Sequence, residues 1–327
     1  MEFRGMTRLR RAALVIVAAL ATVPAAAQDY PSRPITIVCG YAAGTGGDVI
    51  SRYFAEKLRV LAGGQPVVVD NKAGAQTGIA AEYVSKAKPD GYTMFITAGN
   101  STMAANPHLF RKLNYDPVKD FTPVTTIAQL PFLVTVSPKS PINSVKDLVA
   151  YLKTKGNKAS YAYANSFSQA ATAMFTRTVG VDPVAVAYKA TPAAMTDMIA
   201  GDIDFSFIDA SFGVQQEKQG NLKILAVTTA GRSSVAPEFP GMQEAGVPGF
   251  DLTAWWGVWL PAGAPAPLVK KLETWFNQID STDETKAFLL RIGAAPLPGT
   301  ADMARALLPK EIEKWGKIIR DANIQPE

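Results

Sequence analysis

Apolar residues fall along this chain in two alternating patterns, short continuous runs and stretches with helical spacing. Residues 34–39 (Pro-Ile-Thr-Ile-Val-Cys) form a continuous run, as in a strand covered on both faces. After a glycine-rich stretch, residues 40–47, a helix starts near Asp48, where Val49, Ile50, Tyr53, Phe54 and Leu58 recur at helical spacing. Residues 65–70 predict a second strand, 79–86 a second helix, Pro89-Asp90-Gly91 a turn, and 92–97 a third strand. Strand, loop, helix, repeated, is a βαβ pattern and implies a mostly parallel sheet.

The pattern breaks over 98–125, which is rich in turns, and 127–136 predicts an extended crossing segment. A second set of units follows. Helices are expected over 145–153 and 169–179, and strands over 160–164 and 184–188. Thr191-Pro192 opens a further helix that Gly201 ends. Strands over 203–208 and 222–228 come next, then Pro- and Gly-rich loops over 231–266 around a strand at 252–260. Three helices finish the chain, over 268–279, 285–292 and 300–319, the last with a bend at Pro309. The organisation predicts an α/β chain of two lobes, each a mostly parallel sheet with flanking helices. Lobe 1 would hold residues 28–130 plus 251–327, and lobe 2 residues 131–250. Two crossover segments, near 127–136 and 250–260, would join them as a hinge over a cleft.

The first 27 residues read as an export signal rather than as fold. Arg4, Arg8, Arg10 and Arg11 precede an apolar stretch over 12–23, Pro24 and the small residues Ala25-Ala26-Ala27. Twelve apolar residues are too few to span a bilayer, which takes about 20. The competing reading is a buried N-terminal helix. Without the signal, 29 Lys and Arg stand against 27 Asp and Glu, so the net charge falls from +5 to +2. That leaves no basic stripe for nucleic acid. An exported chain without a disulfide framework fits a bacterial periplasm.

The 327 residues contain one His (His108) and one Cys (Cys39). A zinc site of the Cys/His kind is therefore excluded, and a Ser-His-Asp apparatus would have to use His108. Cys39, in the first core strand, reads as an inert buried thiol. No cofactor is expected. The Gly44–Asp48 stretch together with Asp70 loosely matches a dinucleotide fingerprint, but its third glycine falls at Val49. An exported dehydrogenase or hydrolase stays open as an alternative, as does a sensor subunit serving a signalling partner.

Loops at the carboxyl ends of parallel strands line ligand sites in this architecture. The first holds Tyr41, Gly44, Thr45, Gly46 and Gly47 before a helix start, where glycines and free N–H groups favour an anion. Asp48 reads as a cap there. The second offers Gln76 and Thr77, and Thr77 reads equally as an N-cap. The third offers Asn165, Ser166, Phe167 and Ser168, and the serines read equally as caps. Asn100 belongs to a fourth, weaker loop. Asp209 ends a strand and either faces the ligand or caps a helix near Ser211. Phe167, Phe212, Trp255 and Trp256 are candidate cleft walls, with Trp255 and Trp259 read as hinge packing.

At these loops the chain resembles the periplasmic solute-binding proteins of tripartite tricarboxylate transporters, the Bug proteins. Asn71-Lys72-Ala73-Gly74, Lys88-Pro89-Asp90-Gly91-Tyr92-Thr93, residues 115–121, Val186-Ala187-Tyr188-Lys189, Pro248-Gly249-Phe250 and Lys314-Trp315-Gly316-Lys317 carry the likeness in order. The resemblance implies a two-lobed, type II-like periplasmic binding fold. It implies a monomer that closes like a flytrap on a small organic anion and serves membrane transporter subunits. It places Gly44, Thr45, Gly46, Thr77, Ser166 and Ser168 near the ligand. The sequence departs from the family at Ala43 and Thr45, where the pattern has Pro and Gly. It departs again at Gln169, where the pattern has His, and at Ile208, the usual acid position. Phe167, Ile208 and Phe212 point to an aromatic or longer-chain diacid.

Overall fold

The first apolar run becomes β1 (Ile35–Cys39), paired in parallel with β2 (Val67–Asn71) on one side and β3 (Thr93–Ala98) on the other. The structure is a computed structural model that describes residues 30–233 and 235–326. The expected export signal lies outside the described residues. α1 (Gly46–Leu61) and α2 (Gly78–Ser85) connect the three strands. α1 turns Ile50, Phe54 and Leu58 inward, as its spacing predicts. After β3 the chain makes a π-helical turn over residues 99–105 and a short α3 (Asn106–Leu109).

β4 (Phe121–Val136) is the expected crossing segment, begun six residues earlier than its apolar run indicates. A second unit follows: α4 (Val145–Lys155), β5 (Ser160–Tyr163), α5 (Ser166–Val179), β6 (Val184–Ala187), α6 (Thr191–Ala200), β7 (Phe205–Asp209), α7 (Ala210–Lys218) and β8 (Lys223–Val227). β5 pairs in parallel with β6 and β7, a second triad like the first. Gly201 ends α6 with a left-handed φ of 95°, as expected of a C-terminal glycine. The N-cap is Ala190, one residue before the expected Thr191.

β9 (Thr253–Pro261), α8 (Ala266–Ser281), α9 (Asp283–Arg291), β10 (Ala295–Pro296) and α10 (Ala301–Asp321) complete the order. The two triads are knit into one hydrogen-bonded sheet, because β9 pairs with β3 of the first triad and with β4, and β4 pairs in turn with β7 of the second. The first part of β4 runs antiparallel to β9, down to Pro131↔Thr253. Its last residues pair with β7, from Phe132↔Asp209 to Val136↔Phe205, and with β8. α10 returns across the chain to pack on the 99–105 turn and on β4. Trp315 of α10 is fully buried and lies 5.1 Å from the Phe167 ring, which stacks on Phe132 at 4.0 Å.

Glu273 of α8 pins the start of α10. Its Oε2 accepts from the Ala301 N–H at 2.8 Å and its Oε1 from Lys270 Nζ at 2.6 Å. Burial opposes its charge, but these bonds outweigh burial and hold its pKa below the ordinary glutamate value. Glu273→Ala leaves a buried N–H unpaired and is expected to cost about 2 kcal/mol, read from the urea midpoint. Because the folded pKa is depressed, the stabilisation is present at neutral pH and is lost as pH falls through the folded value. An unchanged midpoint at pH 7 would remove this role.

Candidate functional site

The carboxyl ends of all six strands in the two triads meet at one cavity of 240 Å³. β1 contributes residues 40–42, Thr45 and Gly47, and β2 contributes residues 74–77. Ala98, Asn100 and Ser101 follow β3, residues 163–165 and Phe167 follow β5, residues 187–191 follow β6, and Asp209 ends β7. Phe132 of β4 and Trp256 of β9 complete the aromatic wall. Among the described lining residues the charged side chains are Lys189 and Asp209.

The first loop leads into a helix start that no side chain caps. Gly44 takes the positive φ of 81°, so Thr45 stays extended at φ −81° and needs none of glycine's freedom. Thr45 Oγ1 donates back to the Ala42 carbonyl at 2.7 Å, and no side chain caps α1. The first-turn N–H groups of α1, with the partial positive charge of the helix end, are thus left without a side-chain acceptor. Asp48 braces the loop from behind. Its Oδ2 accepts from the Gly44 N–H and Arg52 Nε, both at 2.9 Å, and its Oδ1 from Asn71 Nδ2 at 2.8 Å. Burial opposes that charge, but the three bonds hold its pKa below the usual aspartate value. Gly47 must be glycine: a Cβ there would lie 2.5 Å from the Tyr41 ring and 2.7 Å from Trp256.

The second loop carries backbone strain. Ala75, Gln76 and Thr77 have φ of 45°, 47° and 73°, left-handed values that cost non-glycine residues roughly 1–3 kcal/mol each. Hydrogen bonds hold the loop there. Gln76 O accepts from Asn106 Nδ2 at 3.0 Å, Gln76 Nε2 donates to Gln169 Oε1 at 3.1 Å, and Ser166 Oγ donates to Gln76 Oε1 at 2.6 Å. Thr77 Oγ1 joins a hydroxyl chain through Thr102, 2.5 Å away, to Thr97. Thr77 is also the N-cap residue of α2, as its alternative reading has it, although its hydroxyl makes no capping bond to the helix.

Of the residues singled out in the sequence, Tyr41, Thr45, Gly47, Gln76, Thr77, Asn100, Asn165, Phe167 and Asp209 line the cavity. Gly44, Gly46, Ser166 and Ser168 do not. Gly44 forms the turn behind Thr45. Gly46 backs onto Ser211 and Asp209 instead. Ser166 Oγ is engaged with Gln76 and Asn106. Ser168 is the partner in a capping box, its N–H bonded to Asn165 Oδ1 at 2.9 Å. Asp209 lines the cavity, and its Oδ1 caps α7 through the Phe212 N–H at 3.0 Å, as its second reading expects. Phe212 and Trp255 lie off the cavity lining. Trp255 packs on Gly99 and donates to Glu311 Oε2 at 3.3 Å. Sequence reasoning missed Phe132, hidden inside a strand that reads as core, and Lys189, which it used only as a family mark. Cys39 is buried, and burial pushes its thiol pKa up to about 11. Among the described residues no cluster of three or more His, Cys, Asp and Glu could hold a metal ion.

A profile described as "Tripartite tricarboxylate transporter family receptor" matches residues 50–324. The chain belongs to this receptor family. Among solved structures, the R. palustris protein Rpa4515 with adipate is 33% identical, with a TM-score of 0.88 over 91% of this chain and 100% of its own. The periplasmic binding protein BugD is 29% identical at a TM-score of 0.85, over 91% of this chain and 100% of its own. MatC from Rhodopseudomonas palustris with bound malate is 29% identical at 0.83, over 89% and 100%. The receptor thus has the fold of periplasmic binding proteins, and the resemblance in its loops extends over nearly the whole described chain. No helix among the described residues is long and apolar enough to cross a membrane.

Proposed function

We propose that this receptor captures a small organic carboxylate, a dicarboxylate or an aromatic acid, in the periplasm and hands it to the membrane subunits of a tripartite transporter. The observation that carries this reading is the convergence of six strand ends and the uncapped N-terminus of α1 on one cavity with aromatic walls. A cavity of 240 Å³ lies below the roughly 300–1,000 Å³ of drug-sized sites, which suits a small acid. The neighbours with adipate and malate give the same chemistry. The reading takes the chain as two lobes, residues 28–130 with 251–327 and residues 131–250, which close over the ligand as a monomer. Gln76, bonded to Ser166 and Gln169, then ties the lobes together in the closed state. It takes the protein as a binder rather than an enzyme. His108, the one histidine, bonds the Ile312 carbonyl at 2.9 Å and lies off the cavity lining.

Calorimetric titration with succinate, adipate and terephthalate tests the reading. The stacked Phe132 and Phe167 rings and Trp256 favour the longer and aromatic acids, so adipate and terephthalate are expected to bind more tightly than succinate. A preference for succinate would count against an aromatic or long-chain ligand, and heat from none of the three against carboxylate capture.

A further inference from the structure

Three left-handed residues in a row, none of them glycine, persist only where their surroundings over-determine them. Two groups of bonds do so for Ala75, Gln76 and Thr77. The first group comes from the same part of the chain, within residues 28–130. Asn106, the first residue of α3, is fully buried, and its Nδ2 donates to the Gln76 carbonyl and to the Tyr115 hydroxyl oxygen, both at 3.0 Å. The Tyr115 hydroxyl donates in turn to the Thr102 carbonyl at 2.5 Å, which fixes the way the Asn106 amide points. Thr77 Oγ1 is tied to Thr102 Oγ1.

The second group comes from the start of α5, within residues 131–250. The Ser166 hydroxyl bridges Asn106 Oδ1 and Gln76 Oε1, and Gln169 Oε1 accepts from Gln76 Nε2 at 3.1 Å. Asn106 therefore grips the strained loop with one end of its amide and meets α5 with the other. If the lobes part, Ser166 and Gln169 leave together. Gln76 then loses both of these side-chain partners, and Asn106 Oδ1 loses its donor. One bond to the Gln76 carbonyl and one to Thr77 are left to hold three strained residues.

We propose that residues 75–77 form a spring loaded by closure of the lobes, with Asn106 as the positioning residue that winds it. A single hydrogen bond adds little net stability, and a left-handed non-glycine residue costs at least as much, so the loop relaxes in the open form and is strained again on closing. The strain opposes closing of the empty receptor and speeds opening when the ligand is handed on. The inference rests on the two-lobed carboxylate-receptor reading and deepens it.

Ala75→Gly is the direct test, because glycine adopts the left-handed form freely and Ala75 has no side-chain bond to lose. The probe is succinate, adipate or terephthalate, whichever the wild type binds best. The Ala75 methyl lines the cavity, so loss of its contact alone would weaken binding. The spring has the opposite sign: the variant is expected to bind about fivefold more tightly by calorimetry, with slower dissociation and a ligand-free melting temperature no higher than that of the wild type. No gain in affinity would overturn the proposal. So would a raised ligand-free melting temperature, which would show the loop left-handed with the lobes apart. Asn106→Ala is expected to weaken binding about tenfold. On that background Ala75→Gly brings no gain, because an unwound loop has no strain to relieve. A full fivefold gain there would reduce Asn106 to packing and overturn its positioning role. Asn106→Asp, of the same shape but without the amide donors, takes its place if the alanine variant does not fold. If none of the three acids binds the wild type, the carboxylate reading falls. The spring is then judged on ligand-free melting alone, where a rise in Ala75→Gly overturns it and the lack of one supports it.

Discussion

Gly46→Ala is expected to weaken ligand binding about 100-fold and to leave the ligand-free protein as stable as the wild type. Gly46 is the first residue of α1, and its φ is not left-handed, so alanine fits the backbone and favours the helix. The obstacle lies in the other half of the chain. A methyl on Gly46 would overlap Ser211 Oγ and Asp209 Oδ1, at the first turn of α7. Neither yields readily: Ser211 is 1% exposed, and Asp209 Oδ1 is fixed by the Phe212 N–H. The N-termini of α1 and α7 therefore meet with no room for a side chain. If the two lobes hinge as proposed, the methyl is harmless when they are apart and blocks their closing. Overpacking costs about 1–3 kcal/mol, and the upper part of that range corresponds to about 100-fold in affinity. Calorimetry on the variant, beside melting curves with and without ligand, separates the possibilities. A ligand-free melting temperature that drops in step with affinity would mean a fixed structural contact, and the hinge would fail with it.

The same contact shows what the sequence could and could not reveal. The parallel triads were legible because their strands are continuous apolar runs bounded by loops, a pattern that burial on both faces imposes. The strand ends that build the site followed from topology. The details that decide which loop atoms reach the ligand did not. Ala75-Gln76-Thr77 carries no glycine, so nothing in its composition announces three left-handed residues; tertiary bonds from Asn106, Ser166 and Gln169 impose them. Ser166 and Ser168 looked like hydroxyls for an anion because a serine beside a helix start has several equivalent uses, and the fold assigns these two elsewhere. Helix α7 has little apolar periodicity and holds Gly213, so only its cap, Asp209, was visible in advance. Phe132 shows the converse: in a long apolar strand, a residue that faces a cavity has the same signature as one that faces the core.

Asp280→Asn is expected to stabilise the protein by about 2–4 kcal/mol at pH 8 and by well under about 1 kcal/mol at pH 4. Asp280 lies in the last turn of α8 and is 1% exposed, and neither carboxyl oxygen completes a hydrogen bond among the described residues. The Leu297 N–H points towards it but already serves the Ile127 carbonyl at 3.3 Å. Burial dominates, that N–H offsets it only in part, and the pKa is pushed up to about 7 from an ordinary value near 3.8. The folded protein thus holds a proton that the unfolded chain gives up. Well below pH 3.8 both states are protonated and the group is neutral in its effect, and at pH 4 only a small part of the cost has developed. Between about 4 and 7 the unfolded state is favoured as it ionises, so stability falls as pH rises. Above 7 the cost is fully developed, and a shift of about 3 pH units amounts to about 4 kcal/mol, an upper value if the site relaxes. Asparagine keeps the shape and removes the ionisation. Urea unfolding of both proteins at pH 4 and pH 8 is the measurement. Parallel pH dependences would show that Asp280 finds a partner when ionised. Convergence at pH 4 with a gap at pH 8 would mark it as a buried charge that the fold tolerates at a cost.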